Sequence, residues 1–283
     1  MDDVRSELGR RLRARRRAGG LTGVELARLI GISQAQVSKV ETGQARIDED
    51  LVTAWISHTS DAPDADGPAV TALAADTQQF TSWPALHARG WEEHQQRYED
   101  LERAASRILT FQNALVPGLL QTSRYTHYLM REGLGLDDDQ AALAVAARLD
   151  RQALLYQPGS RVDVILTEAV LRHRLGGPGV MAEQLRHLAD LSSLPTVSLR
   201  VIPADTAMPS RYGVSFDLVE SADGAGTVVV ELEGGEFRED RAEQLARYRA
   251  RFAVYERAAL GAEASRAVVE ELTARMRADL FPS

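Results

Sequence analysis

Residues 21–43 read LTGVELARLIGISQAQVSKVETG, and this stretch decides the fold of the N-terminal part of the chain. Thr22 and Glu25 have the spacing of a capping box, in which a hydroxyl and a carboxylate each accept a bond from a backbone N–H at the start of a helix. Ser33 and Gln36 repeat that spacing. A glycine between the two boxes can take the positive φ that ends a helix abruptly. The stretch therefore predicts two short helices joined by a tight turn.

Apolar side chains at helical spacing give these two helices a common core with a helix that precedes them. They are Leu26, Ala27 and Ile30 on the first helix, Val37 and Val40 on the second, Leu21 and Ile32 at the corner, and Val4, Leu8 and Leu12 on the preceding helix. Gly31 supplies the turn, and Gly43 ends the second helix in the same way. The pattern is typical of a helix-turn-helix, whose second helix stays exposed along one side.

The exposed side of the second helix carries side chains that suit DNA bases. Glutamine can pair bidentately with adenine, lysine can donate to guanine O6 and N7, and alanine can contact a thymine methyl group. The predicted base contacts are Gln34, Ala35, Gln36, Ser38 and Lys39. A plain helical hairpin with polar surface residues is the alternative, and the two capping signals beside a basic helix argue against it.

Charge is distributed unevenly along the chain. The net charge is −8, yet residues 1–46 hold ten basic and five acidic residues, and Lys39 is the only lysine. A basic head on an acidic body is typical of a DNA-binding domain joined to a domain of another kind. The predicted phosphate contacts are Arg10, Arg11, Arg13, Arg15, Thr22, Ser33 and Arg46. A run of basic residues taken alone is more often a solvated helix face.

Beyond residues 60–68, which are rich in Pro, Gly and Asp, the pattern mixes helices and strands. Helical periodicity appears at 85–105, 121–133, 139–156, 180–191, 239–260 and 263–279. Strand-like runs lie at 107–112, 162–166, 197–202, 214–219 and 227–232, the last two joined by a hairpin loop at 221–226. Residues 66–68 can also open a short helix that runs to about Phe80. We therefore expect a multidomain protein with an all-α, lambda-repressor-like helix-turn-helix domain at 1–80. A larger mixed α/β (α+β) domain follows at 81–283, and its strand order is left open.

The chain offers no recognisable catalytic or metal-binding arrangement. Without cysteine there is neither a disulfide nor a thiolate metal site, and the six histidines are dispersed. The run GGPG at 176–179 lacks the Lys-Ser/Thr of a phosphate-binding loop and fits a turn that leads into a helix. Glu231, Glu233 and Glu236 form an acidic patch without an evident nucleophile or metal partner. We expect no enzymatic activity, no cofactor and no metal.

Membrane and export signals are also missing from the sequence. No apolar run approaches the ~20 residues that span a bilayer, and the first residues lack the apolar core of a signal peptide. We expect no membrane association and a cytoplasmic protein that acts at the nucleoid.

Residues 8–43 contain Gly-Leu-Thr, Leu-Ala and Gly-x-Ser-Gln-x-x-Val-Ser-x-x-Glu-x-Gly in this order. In these motifs the segment resembles the Xre/Cro/phage-repressor family of helix-turn-helix regulators. The resemblance implies base reading by Gln34, Ala35, Gln36 and Lys39, and a structural ion pair between Arg16 and Glu41. Gly23 stands where the family usually has glutamine, which puts one contact with the DNA backbone in doubt.

The larger domain carries LVPGLLQT at 115–122, RLDRQ at 148–152, GGPGVM at 176–181, QLRHL at 184–188 and VSLRVIP at 197–203. These motifs, in this order over about residues 85–275, resemble the WhiJ-like, antitoxin-type Xre regulators of actinobacteria. The resemblance implies a regulator paired with a small protein encoded nearby. Phe111, Asn113 and Ala114 depart from the Tyr, Pro and Glu that the family more often has there. The Pro117-Gly118 pair can also be no more than a turn between a strand and a helix.

Together these patterns predict a transcriptional regulator that binds double-stranded DNA as a homodimer, with two recognition helices ~34 Å apart. Three interpretations of the larger domain stay open: a module that binds a small partner protein, a small-molecule sensor that shifts the dimer between DNA-competent and incompetent states, and an enzyme. Aromatic residues in its first half more often build core than a ligand cage, but they mark where a pocket is expected. They are Trp83, Trp91, Tyr98, Tyr125, Tyr128 and Tyr156.

Overall fold

The computed structural model describes residues 2–45, 47, 49–59, 67, 70–71, 80–83, 86, 98–103, 105–208 and 213–280. The chain divides into two compact units at residues 81 and 82. The smaller unit is helical, and the larger one is built on a sheet. The predicted fold class, an all-α N-terminal domain followed by a larger mixed α/β domain, is confirmed.

The described helices of the smaller unit are α1 (Asp2–Ala18), α2 (Gly23–Leu29), α3 (Gln34–Glu41) and α4 (Glu49–His58). Both halves of the capping box form at Thr22, whose hydroxyl accepts from Glu25 N while its own N–H donates to the Glu25 carboxylate. At the start of α3 the prediction of a full box is wrong. Ser33 Oγ accepts from Gln36 N at 3.1 Å, but the Gln36 side chain turns to solvent instead of bonding back.

A compact apolar core joins the four helices. Leu8 and Leu12 of α1 pack with Leu26 of α2 and Val37 of α3, as the spacing predicts. Trp55 of α4 is fully buried in the same core, and its indole Nε1 donates to the Leu12 carbonyl at 3.1 Å. Because an indole N–H needs a partner when it is buried, this bond fixes α4 against α1.

Strands of the larger unit form one seven-stranded mixed sheet in the order β1-β7-β6-β5-β2-β3-β4. The strands are β1 (Phe80–Ser82), β2 (Arg107–Gln112), β3 (Val162–Thr167), β4 (Val197–Ile202), β5 (Phe216–Glu220), β6 (Gly226–Leu232) and β7 (Gly235–Glu239). The pairs β2–β3 and β3–β4 are parallel, whereas β2–β5, β5–β6 and β6–β7 are antiparallel. Strand β2 therefore lies where the parallel half of the sheet meets the antiparallel half.

Two of these strands were not expected from the sequence. For the predicted helix that opens at residues 66–68, the described residues Gly67, Val70 and Thr71 are helical, residues 72–79 lie outside the described residues, and Phe80 belongs to the edge strand β1. The segment 60–66 lies outside the described residues. Strand β7 pairs with β6 through the Glu233-Gly234 turn, so the acidic run around it belongs to a hairpin.

Helices cover the two faces of the sheet. Those described are α5 (Ser123–Tyr128), α6 (Asp138–Arg151), α7 (Glu168–Arg172), α8 (Gly177–Leu191), α9 (Ala242–Ala258) and α10 (Ala262–Ala278), with further helical residues at 98–103. Helices α8 and α10 pack on one face of β2, β3 and β4, and α9 packs on the opposite face of β2, β5 and β6. A single turn of π-helix (Leu129–Gly133), called the π-turn below, and two short 3-10 helices (Gly118–Leu120, Gln152–Tyr156) complete the fold.

Side chains of β2 alternate between these two faces, as the period of a strand requires. Phe111 points towards α9, where its ring stacks on Tyr255 with 4.0 Å between the centroids. Thr110 points the other way and lies in register with Asp217 of β5, which is in turn paired with Val229 of β6. This second face is the one on which the helices leave a cavity.

Gly9 sets the distance between α1 and α3. A Cβ atom at this position would lie 2.6 Å from the Val40 carbonyl oxygen and 2.7 Å from that of Glu41, both of them backbone atoms. Glycine to alanine inside a helix normally stabilises a protein by about 0.5–1 kcal/mol. Here we expect Gly9→Ala to lower the free energy of opening of the smaller unit by about 1–3 kcal/mol, because α1 must move away from α3.

Amide hydrogen exchange in the α1 and α3 peptides measures this change. Ala14→Ser, which adds one atom on the exposed side of α1, serves as the control. Unchanged or slower exchange in Gly9→Ala would contradict the close approach of the two helices.

Candidate functional site

The five predicted base-reading side chains share one exposed face of α3. Val37 and Val40 lie on the opposite face in the core, so the helix cannot rotate without exposing them. The exposed residues are Gln34, Ala35, Gln36, Ser38 and Lys39. This face ends at Gly43, whose φ of +73° turns the chain away from the helix. The arrangement presents amide, hydroxyl and ammonium donors on a helix narrow enough for a major groove.

Both hydroxyls assigned to phosphate contacts serve as helix caps. Thr22 Oγ1 accepts from Glu25 N at 3.2 Å, and Ser33 Oγ accepts from Gln36 N at 3.1 Å. Each hydroxyl still has its own hydrogen to donate. Both residues are exposed, so that hydrogen can reach a phosphate oxygen beside the first turn of α2 or α3.

Arg16 and Glu41 hold the first and third helices together. Arg16 Nε donates to one Glu41 oxygen at 2.5 Å and Arg16 Nη2 to the other at 2.9 Å. The guanidinium also donates to the Leu21 carbonyl, and bonding to Glu41 raises the pKa of Arg16. With Glu41 largely buried, the pair fixes the position of α3 rather than offering charge to DNA.

The remaining basic residues of α1 differ in whether an acidic side chain pairs with them. Arg10 and Arg11 both pair with Glu7, and bonding to Arg11 and then Arg10 lowers the pKa of that carboxyl. Arg13 Nε lies 3.6 Å from Glu41. Exposed pairs within one helix contribute only about 0.2–0.5 kcal/mol, so a phosphate can displace Glu7 at little cost. Arg15 is half-buried.

Two further exposed arginines were not among the predicted phosphate contacts. Arg17 ends the basic run of α1, and Arg28 lies in the last turn of α2. Within the described residues neither forms an ion pair. The sequence could not distinguish these two arginines, because their exposure depends on how α1 and α2 pack. Arg46, another predicted phosphate contact, lies outside the described residues.

A cavity of about 510 Å³ lies in the larger unit. Its floor is the open face of β2, β5 and β6. Its opposite wall is the loop that follows β2, together with the π-turn and α6. Trp83 and Tyr98 line it as well. The cavity is therefore closed by LVPGLLQT at 115–122 and by RLDRQ at 148–152, two motifs that carry the family resemblance.

Two carboxylates stand on the floor of the cavity. Asp217 and Glu231 lie diagonally on neighbouring strands, because Asp217 pairs with Val229. The pKa of Asp217 is raised to about 6, mainly by burial and also by the charge of Glu231, while hydrogen bonds from Thr110 and Gln112 oppose the shift. Loss of solvation in the cavity also raises the pKa of Glu231. The Tyr98 hydroxyl donates to Glu231 at 3.4 Å.

Arg148 faces these carboxylates from α6. Its Nη1 donates to Gln121 Oε1 at 2.7 Å, and Gln121 Nε2 in turn donates to the Val116 carbonyl at 2.7 Å. A Cβ at Gly118 would lie 3.4 Å from the guanidinium carbon, so the loop rests directly on this side chain. Burial lowers the pKa of Arg148 to about 10, and its Nε is buried without an acceptor.

Two ion pairs lie in the cavity wall or next to it. Arg151 forms two hydrogen bonds to Glu102, at 2.8 and 2.5 Å, and its guanidinium lies 5.0 Å from the centre of the Tyr98 ring. Glu236, part of the predicted acidic patch, is buried beside Arg238 and bonded to it. These two pairs neutralise themselves within the protein.

The predicted aromatic cluster is only partly a pocket. Trp83 and Tyr98 line the cavity, whereas Tyr125 is core and its hydroxyl accepts from Val116 N at 3.2 Å. Tyr128 and Tyr156 are exposed. Trp91 lies outside the described residues. Among the residues that the structure describes, no group of three or more His, Asp or Glu side chains is arranged for a metal ion.

Comparison with known protein families agrees with the division into two units. The fold and exposed face of the smaller unit define a helix-turn-helix protein of the DNA-binding class, and residues 7–59 match a family described as a helix-turn-helix domain. Residues 95–271, more than half of the chain, match the family described as a domain of unknown function, DUF5753. The chain belongs to the DUF5753 family. The comparison with curated proteins found no match. In the described part of the chain, no helix has the length and apolar character needed to cross a membrane.

Asp217 makes the stability of the larger unit depend on pH. Its pKa is raised from 3.8 to about 6 in the folded state, so ionisation costs folding energy as pH rises between these two values. We expect Asp217→Asn to be as stable as the natural chain below about pH 4, and more stable by about 1–3 kcal/mol above pH 6.

Urea unfolding of the two proteins at a series of pH values measures the difference. Asp190→Asn, an exposed carboxylate of α8, is the matched control and should show no such trend. A difference between Asp217→Asn and the natural chain that does not change from pH 4 to pH 7 would show that Asp217 is normally solvated.

Proposed function

We propose that this protein is a sequence-specific transcriptional regulator of the Xre type that reads DNA with α3. The observation that supports this best is the single exposed face formed by Gln34, Ala35, Gln36, Ser38 and Lys39, on a helix fixed to α1 by the Arg16–Glu41 pair. Phosphate contacts by the basic residues of α1 and by the caps of α2 and α3 set the register on the duplex. It acts at the nucleoid in the cytoplasm and catalyses no reaction.

A homodimer is part of this proposal. One helix-turn-helix covers only a few base pairs, and two recognition helices ~34 Å apart would read a near-palindromic site in successive major grooves. The segment of residues 1–46, which holds ten basic and five acidic residues, steers the acidic chain towards DNA because the positive charge is concentrated there.

Removing Lys39 should change sequence preference. A binding site is first selected from random duplexes, and affinities for this site and a scrambled site are then measured by fluorescence anisotropy. We expect Lys39→Ala and Gln34→Ala each to lose about 1–3 kcal/mol on the selected site and little on the scrambled one. Arg10→Ala should instead weaken both sites alike and reduce the salt slope by about one. Equal losses on both sites for Lys39→Ala would remove it from the base-reading set.

The larger unit has two candidate roles, and the first follows the antitoxin-type resemblance. We infer from that resemblance that a small protein encoded nearby binds it and changes DNA occupancy. An exposed groove between α5 and α6 supports this role, because a contiguous exposed apolar surface rimmed by polar residues often marks a protein interaction site. Its apolar lining includes Tyr128, Ala142, Val145, Ala146 and Leu149, and the polar residues that line it are Ser123, Arg124, His127, Arg131 and Glu132.

Affinity capture tests for that partner. The tagged chain is recovered from extract of its native cells with nuclease present, so that proteins bridged only by DNA are lost. A small stoichiometric protein that is recovered with the natural chain but not with Leu149→Glu would support the role. Capture of this chain alone, under conditions in which the neighbouring gene is expressed, would contradict it.

The second role is control by a small molecule, and the cavity beneath residues 115–122 supports it. A volume of about 510 Å³ lies within the range of small-molecule sites, and its lining combines apolar walls with a few polar groups. A ligand there would shift the protein between states of different DNA affinity only if it bound one state more tightly than the other.

A further inference from the structure

Four charged groups that line the cavity have no ion-pair partner among the described residues: Asp217, Glu231, Glu233 and Arg148. Asp217 and Glu231 accept hydrogen bonds only from neutral side chains, and Arg148 donates only to the amide of Gln121. The carboxylates lie on the sheet and the guanidinium on the opposite wall. Arg148 is buried and Asp217 half-buried, whereas Glu231 is exposed at the end of β6. A charge that is withdrawn from water without an ion-pair partner is costly, and a ligand of the opposite charge would offset that cost at Arg148 and Asp217.

The arginine is held in place for such a ligand. The side chain of Arg148 is 9% exposed, and its guanidinium is fixed by Gln121 on one edge and by the backbone of Gly118 against its face. Its Nε still lacks an acceptor. A carboxylate from a bound molecule would supply two acceptors to this fork, the geometry in which arginine binds carboxylates best.

Charge balance favours one class of ligand. A molecule with only anionic groups would satisfy Arg148 and meet repulsion from Asp217 and Glu231, and a simple amine would leave Arg148 unpaired. Most of the remaining lining is apolar. It comprises Val116, Leu119, Leu129, Met130, Val219 and Val229. Both ends of the ligand must therefore be charged, with opposite signs, and its middle must be apolar.

We propose that this cavity binds a small zwitterion, an amino acid or short peptide with an apolar side chain, whose ammonium group contacts Asp217 and Glu231 and whose carboxylate contacts Arg148. The assignment deepens the proposal of small-molecule control and depends on that role only for its effect on DNA. A volume of about 510 Å³ accommodates a molecule between a single amino acid and a dipeptide.

Calorimetry on the full chain without DNA tests the assignment. The probes are phenylalanine, norleucine and leucyl-leucine, each compared with its N-acetyl and its C-terminal amide form. We expect at least one free zwitterion to bind about tenfold or more tightly than both of its blocked forms. Millimolar or weaker binding of all three zwitterions, or equal binding of zwitterions and blocked forms, would overturn the proposal.

Variants then assign the two ends of the ligand. In Asp217→Asn and Glu231→Gln the advantage of the free form over the N-acetyl form should fall by about tenfold, while the amide comparison stays unchanged. Arg148→Met should remove only the advantage over the amide form. Arg247→Met, an exposed residue of α9, is the control. If Arg148→Met does not fold, the Asp217 and Glu231 variants alone test the orientation of the ligand. If these variants lost the advantage of the free form over both the N-acetyl and the amide form, the assigned orientation would be contradicted.

Anisotropy with the selected DNA duplex separates this inference from the proposed function. A zwitterion that binds as expected and changes DNA affinity supports both. Binding without any effect on DNA supports the ligand assignment and contradicts the sensor role. An unaltered preference for the selected site, with no zwitterion bound, overturns the ligand assignment and leaves the DNA-binding function standing.

Discussion

Strand β2 is the constraint on which the larger unit depends. It pairs in parallel with β3 on one side and antiparallel with β5 on the other, so both halves of the sheet are built from its backbone. The side chains of β2 also alternate between the two faces of the sheet. Phe111 packs against the aromatic side chains under α9, so Thr110 and Gln112 lie on the opposite face, which lines the cavity. The loop that follows β2 then covers the cavity on that face. Such a position is expected for a binding site, because it lies at the carboxyl end of a strand where the sheet changes from parallel to antiparallel pairing.

Close approach of two helix backbones plays a similar part in the smaller unit. Because Gly9 allows α1 to touch the carbonyl groups at the end of α3, the ion pair between Arg16 and Glu41 can form across the same contact. The exposed face of α3, which we propose reads DNA, is thus oriented by backbone contact, one buried ion pair and the core residues Val37 and Val40, none of which has to meet DNA. Changes to the exposed face can alter recognition without altering the fold.

Local signals allowed much of this architecture to be predicted from the sequence. Thr22, Gly31 and Gly43 each act on backbone only a few residues away, so their roles could be predicted directly from the sequence. Strands β3 and β5 were predicted from short apolar runs in the same way. Strand β7 was missed because its buried positions include charged residues, Glu236 and Glu239, that are neutralised by neighbouring arginines. No hydrophobic alternation marks such a strand.

The cavity depends on contacts between distant parts of the chain, and for this reason its composition could not be predicted. Asp217 and Arg148 are far apart in sequence, and only the pairing of β5 with β2 and the position of α6 bring them to one space. One signal was available: Asp217 and Glu231 are acidic residues at positions of strands whose neighbours are apolar. A polar residue on the inner face of a strand indicates either a partner inside the protein or a ligand.

Lys39 has a practical consequence because it is the only lysine of the chain and its side chain is exposed on α3. Reagents that acylate amines can modify only this side chain and the N-terminal amine. Amine coupling to a sensor surface would accordingly attach the molecule through the face proposed to read DNA, whereas a dye placed on Lys39 would report directly on whatever approaches that face.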